Sequence, residues 1–146
     1  MTLIVFTAGL IAGIAVLDML DRAPGQSLSE LKYALPKTWQ SPTMSPHCDD
    51  ELKYGVVDRI VDHYQKAAAN GGMLAGQKIR ELITVNGIRI VLDDGTWGLV
   101  RASSNKPELV VVVESPTSEA NMRAIFTEID TLLSKQPEVG EYNQKI

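Results

Sequence analysis

The sequence predicts an α+β fold: a small antiparallel sheet of about four strands with two helices on one face, preceded by an apolar helical segment. Three observations carry this. Leu52, Val56, Val57, Ile60, Val61 and Tyr64 recur at helical spacing, as do Met122, Ile125, Phe126, Ile129, Leu132 and Leu133. Between these stretches the period changes, and "LITVNGIRIVLDDGTWGLVR" alternates or runs apolar with many β-branched residues. Asn86-Gly87 and Asp94-Gly95 cut that run into strands with short connections, and a type I′ turn is expected at Asn86-Gly87. Helices at the two ends of such a meander can both cover one face of the sheet and leave the other open.

At the N-terminus, "MTLIVFTAGLIAGIAVLDML" carries no charge before Asp18. No positive residue precedes the apolar run, as a signal peptide requires, and the run is barely long enough to cross a bilayer. A buried helix over 7–21 is therefore expected rather than a membrane span, with Pro24 and Gly25 as its stop. "SLSEL" reads as a short second helix with Ser27 as N-cap and Glu30 closing a capping box. Pro36, Pro42 and Pro46 then mark an extended linker leading into an edge strand. The domain boundary falls here, giving 1–38 as a helical remnant of a preceding domain and 39–146 as a C-terminal domain of a size that can fold alone.

In the helix that follows, Asp49, Asp50 and Glu51 place negative charge at the N-terminus, where the helix dipole favours it. Gly71, Gly72 and Gly76 bound a flexible connection. Residues 108–114 form the last strand, and Pro116 and Thr117 open the last helix.

The 146 residues include 14 Lys and Arg against 18 Asp and Glu, a net charge of −4, with 5% aromatics. That balance excludes a nucleic-acid partner, which needs a basic field. One cysteine, Cys48, excludes an internal disulfide and suits a reducing cytoplasm. No membrane association is expected.

The chemistry concentrates in "VRASSNKPELVVVVE" (Val100 to Glu114). Ser103, Ser104 and Asn105 bring side-chain donors to a tight turn, and such turns can point successive backbone N–H groups into an anion-binding concavity. Arg101, at the end of a strand, carries a planar fork matched to two phosphate oxygens. Ser, Asn and Pro also make turns with no ligand at all, and both readings stand on spacing alone. "LDDGT" reads as a turn and "HCDD" as a helix start, not as metal ligands. His63 falls on the surface.

"GTWGLVRASSNKPELVVVVES" resembles the phosphate-binding loop of the α-D-phosphohexomutases, the phosphomannomutase/phosphoglucomutase family. Trp97, Arg101, Ala102, Ser103, Pro107 and Glu114 match its Trp-x-x-x-Arg, Ala/Pro-Ser and closing-Glu pattern without a gap. "VNGIRI" resembles the family's Asp-Gly-Val-Arg-Val element, and "SLSELKYALPKTWQSP" its passage from third to fourth domain. The resemblance covers about residues 8–134. Ser104 stands where the family usually has Asn or Gly, and Asn105 where it has Thr. Both keep a hydrogen-bonding side chain.

The resemblance implies a TBP-like fourth domain in which Arg101, Ser103, Ser104 and Asn105 bind the non-transferred phosphate of a hexose phosphate, with Lys106 as an accessory cation. Ala102 leans toward the mannose/glucose branch. The intact enzyme would interconvert hexose 1- and 6-phosphates through a bisphosphorylated sugar, with Mg2+ and a phosphoserine. It would close by hinge motion in the 36–46 linker. The family's phosphoserine, metal and sugar-recognition loops are not in this sequence, so the chain carries no catalytic residue or cofactor of its own. It is expected to be inactive alone and to need the preceding domains as partners. The 1–21 helix is expected either to pack against a second copy or to be poorly ordered. The rival is a stand-alone α+β anion- or protein-binding module.

Overall fold

A computed structural model describes the backbone of residues 2–146 and the side chains from residue 9 onward. The chain divides into two compact units, Met1–Pro36 and Lys37–Ile146. The first unit holds α1 (Thr2–Asp21) and α2 (Leu28–Tyr33). The capping box expected at α2 is formed. The Ser27 hydroxyl accepts from the Glu30 N–H at 3.3 Å, and the Glu30 carboxylate accepts from the Ser27 N–H at 2.7 Å. The burial expected for α1 is not found within its own unit. Leu10, Ile11, Ile14 and Leu17 are between 57% and 66% exposed. Within that unit α2 is only six residues long and buries none of them, so it does not close a core over α1. The side chains at the beginning of the apolar run lie outside the described residues. Among the described residues, no helix is long and apolar enough to cross a membrane.

The second unit is a six-stranded antiparallel sheet with two helices. Its strands are β1 (Trp39–Gln40), β2 (Met73–Leu74), β3 (Gln77–Ile83), β4 (Ile88–Leu92), β5 (Trp97–Ala102) and β6 (Leu109–Ser115). Their order across the sheet is β1-β6-β5-β4-β3-β2. The helices are α3 (Lys53–Ala69) and α4 (Glu119–Leu133). β3 to β6 are the four strands expected, and the two extra strands are two-residue edges. Beyond β1, Pro42 and Pro46 remove donors and break the edge strand into isolated bridges, Met44 to Val111 and His47 to Glu108.

Alternation along the strands decides which face is covered. Ile88, Ile90 and Leu92, Val100, and Leu109, Val111 and Val113 are all buried and form one cluster. From above, Val56, Val57, Ile60 and Tyr64 of α3 and Met122, Ile125, Phe126, Ile129 and Leu133 of α4 close the same cluster. Most residues of both helical repeats are thus buried, while Val61 and Leu132 sit at the margin. Leu52 is 47% exposed, and Lys53 takes the buried position in its place. Gly98 of β5 lets α4 approach closely, since a Cβ there would stand 2.4 Å from the Ile129 Cδ1.

Three local expectations change. The connection after α3 is not a flexible loop. Ala75 (φ 50) and Gly76 (φ 76) form a tight two-residue turn that pairs β2 with β3. The β3–β4 connection spans residues 84–87, and only Gly87 (φ 99) is left-handed there, so Asn86-Gly87 is not a type I′ turn. Finally, residues 41–48 are not free linker. Ser41 N–H reaches Val113 O, Met44 N–H reaches Val111 O and Cys48 N–H reaches Pro107 O, at 2.9 to 3.0 Å. Each such bond ties the segment to β6 or its approach, which argues against a free hinge in these residues. The last helix also starts later than expected: Ser118 is its N-cap, accepting from the Asn121 N–H.

The Asp94-Gly95 turn is fastened to the start of α4. The Asp94 carboxylate accepts from the Thr96 N–H and hydroxyl (2.8 Å each), the Thr117 hydroxyl (2.7 Å) and the Asn121 amide (2.9 Å). Burial alone would raise its pKa, but these donors and Gln77 outweigh burial and hold it well below the usual carboxylate range. A depressed folded-state pKa stabilises the fold above the unfolded value, about 3.9, and that contribution fades as pH falls toward the folded value. Asp94→Asn is therefore expected to lower Tm at pH 7, with the gap to wild type narrowing on titration from pH 5 to pH 2. A gap independent of pH in that window would mean that the charge of Asp94 contributes nothing.

Candidate functional site

The site is the β5–β6 connection, Ser103 to Glu108, with Arg101 on the strand that enters it. Strand alternation places Trp97, Leu99 and Arg101 on the sheet face away from the helices, since Gly98, Val100 and Ala102 face inward. Arg101 is half-buried, and its Nη1 donates to the Ala102 carbonyl at 3.0 Å. It forms no salt bridge among the described residues, whose ion pairs lie elsewhere. With Asn86, Gly87, Arg89, Trp97 and Leu99 it lines a depression of about 340 Å³.

The loop itself is closed by backbone bonds. Ser103 N–H reaches Glu108 O at 3.0 Å, and Glu108 N–H reaches Lys106 O at 2.8 Å, turning the chain about Pro107. Ser103 is buried, with its hydroxyl 3.3 Å from the Asn105 Oδ1, whereas Ser104, Asn105 and Lys106 are exposed. Among the described residues, the N–H groups of Ser104, Asn105 and Lys106 meet no protein acceptor. The Lys106 ammonium lies 4.0 Å from the Glu108 carboxylate, a partial neutralisation of the accessory cation. The structure thus brings Arg101, Ser103, Ser104, Asn105 and Lys106 into one loop, rich in donors and poor in acceptors.

Three neighbouring residues were not assigned to the site from the sequence. Gly87 faces Arg101 across the strand pair, and a Cβ on it would stand 2.6 Å from the Arg101 Cβ and 2.3 Å from the Val100 carbonyl oxygen. The Arg89 guanidinium stacks 4.1 Å from the centre of the Trp97 ring. Lys53, at the start of α3, buries its side chain and donates to the Lys106 carbonyl at 3.0 Å. The sequence signal for Lys53 is its place three and four residues before Val56 and Val57, a charge inside the apolar stripe.

No nucleophile with an adjacent base accompanies the loop. Burial, then the Glu138 and Asp49 carboxylates, push the Cys48 thiol pKa up, the opposite of activation. His47 lies 3.3 Å from Asp49, and His63 is exposed on α3. Among the described residues, no group of three or more His, Cys, Asp or Glu side chains could share a metal ion.

The fold and this loop define a two-layer α+β module whose hairpin carries backbone donors with no protein acceptor among the described residues. The family model for the C-terminal domain of phosphoglucomutase/phosphomannomutase matches residues 50–132, and the chain belongs to that family. It is similar to the phosphopentomutase of Thermococcus kodakarensis, 35% identical over 92 residues, 63% of this chain and 19% of that protein. Similarity to the phosphomannomutase/phosphoglucomutase of Pseudomonas putida is 30% identity over 135 residues, 92% of this chain and 26% of that protein. The probable phosphoglucosamine mutase of Methanothermobacter thermautotrophicus is 29% identical over 112 residues, 76% of this chain and 22% of that protein. The crystal structure of a phosphoglucomutase/phosphomannomutase family protein from Burkholderia thailandensis shares the fold, with a TM-score of 0.63 at 22% identity. That match covers 90% of this chain and 25% of the other. The chain thus spans about a fifth to a quarter of the length of these relatives.

Proposed function

We propose that this chain is the phosphate-holding C-terminal domain of a sugar-phosphate mutase, with residues 39–146 as that domain and 1–38 as the end of the domain before it. One observation carries the reading: among the described residues, three consecutive N–H groups, at Ser104, Asn105 and Lys106, have no protein acceptor and Arg101 beside them has no carboxylate partner. A phosphate dianion meets both needs, since backbone donors in a turn and a planar guanidinium are its two commonest partners. Ser103 braces the loop through Asn105, and Ser104 and Asn105 supply adaptable side-chain contacts at the rim. The relatives' names cover pentose, mannose or glucose, and glucosamine. A domain shared across such sugars serves best by holding what they have in common, the phosphate.

In the intact enzyme, the loop would hold the non-transferred phosphate of a hexose phosphate during 1-phosphate/6-phosphate interconversion. Holding either phosphate lets the sugar be presented in both orientations without moving the catalytic groups. Those groups, the Mg2+ and the bisphosphorylated intermediate belong to other domains in this reading, and the setting is cytoplasmic. The exposed apolar residues of α1, Leu10, Ile11, Ile14 and Leu17, would pair with a second copy of this chain.

NMR titration of the chain with inorganic phosphate or glucose 1-phosphate tests this. Shifts are expected at residues 101–107, and Arg101→Ala is expected to weaken binding about 10- to 100-fold, the loss of one charge-assisted pair worth roughly 1.5–3 kcal/mol. A loop silent at millimolar ligand refutes the phosphate reading. On the same sample a coupled mutase assay is expected to read zero, and turnover would overturn the assignment of the chemistry to other domains. Sedimentation is expected to show a dimer, and a monomer would refute the pairing of α1.

A further inference from the structure

We infer that Lys53 is the positioning residue of the phosphate loop, an inference that rests on the anion reading of that loop. Lysine is seldom fully buried unless its charge is met. The Lys53 side chain is 4% exposed, yet Asp50, its only carboxylate partner among the described residues, is 65% exposed. An ion pair with Asp50 could form at the surface, with the lysine stem in water. What burial adds is the second partner, the Lys106 carbonyl, 53 residues away and 3.0 Å from Nζ.

That carbonyl matters because of the residue after it. Pro107 has no N–H, so the 106–107 peptide can offer the loop only an acceptor. Turned outward, the Lys106 oxygen would set partial negative charge beside the unpaired N–H groups of Ser104, Asn105 and Lys106. Lys53 holds it from inside, and the Glu108 N–H shares it at 2.8 Å. The Lys106 oxygen is thereby withdrawn from the acceptors that the loop could present.

The test compares the wild-type chain with Lys53→Met, which keeps the stem and removes the charge and donor. Phosphate affinity is read from the amide shifts of residues 103–106, and hydrogen exchange is followed at the Glu108 amide. Lys53→Met is expected to weaken phosphate binding at least tenfold and to speed Glu108 exchange by a similar factor. Ile129→Ala serves as a control for general loss of stability. It is expected to lower Tm with phosphate affinity unchanged, and an equal loss of affinity in the control would reduce Lys53 to a structural residue.

Wild-type binding with an unaltered constant in Lys53→Met overturns the inference. No wild-type response to phosphate, with faster Glu108 exchange in Lys53→Met, refutes the anion reading and leaves Lys53 a brace only. Should Lys53→Met fail to fold, the wild-type Lys53 ammonium resonance decides. It is expected to move over the same phosphate range as the loop amides, and a stationary signal refutes the inference.

Discussion

Gly87→Ala is expected to destabilise the domain by about 2–5 kcal/mol, combining roughly 1–3 kcal/mol of backbone strain with a similar overpacking cost. Gly87 sits at φ 99, a conformation that L side chains rarely adopt. Its missing Cβ is also where the neighbouring strand lies, 2.3 Å from the Val100 oxygen, 2.7 Å from the Arg101 Cα and 2.6 Å from its Cβ. These are mostly backbone atoms, which cannot swing aside as a flexible side chain can. Relief must come from parting β4 from β5 at the end where Arg101 enters the loop. The substitution should therefore also shift the Arg101 and Ser103 amides in the folded protein. Gly25→Ala is the control. Gly25 is also left-handed, φ 84, but a Cβ there meets nothing within 4 Å. Chemical denaturation checks both, and equal costs for the two substitutions would mean that strain alone, not the fit against Arg101, makes Gly87 costly.

Ile129→Ala is expected to cost about 2–5 kcal/mol, the range for removing a large aliphatic side chain from a closed core. Ile129 is fully buried and lies over Gly98, where a Cβ would stand 2.4 Å from its Cδ1 and 3.3 Å from that of Ile125. The two sites are one packing unit, so their effects should not add. In wild type, Gly98→Ala overpacks the contact and is expected to destabilise by about 1–3 kcal/mol. In the Ile129→Ala background the same methyl enters the vacated space, and its cost should shrink or reverse. Denaturant midpoints of the four proteins give the coupling, and strict additivity would refute the close α4–β5 contact.

Legibility differed between elements for physical reasons. The two helices of the second unit, α3 and α4, and the four inner strands were written in side-chain periodicity, because burial on one face repeats every 3.6 or 2 residues. The edges were not. β1 and β2 have two residues each, too short for any period, and exist because β6 and β3 offer free backbone groups beside them. The 41–48 segment looked like a linker from its prolines, yet Met44 and Cys48 are fully buried in the core. Of the candidate site, Arg101, Ser103, Ser104, Asn105 and Lys106 lie within six consecutive positions and could be read from the chain. Gly87, Arg89 and Lys53 could not, because they lie 14, 12 and 48 positions before Arg101 in the sequence.

The sequence by itself determined the domain's class, the covered face of the sheet, the capping box at Ser27 and the membership in its family, since each rests on local pattern. Tertiary structure alone decided that Lys53 reaches the Lys106 carbonyl, that Gly87 yields its space to Arg101 and that Asp94 fastens a hairpin to α4. Those are contacts between residues distant in the chain. Their energies come from which groups the fold brings within hydrogen-bond or van der Waals reach.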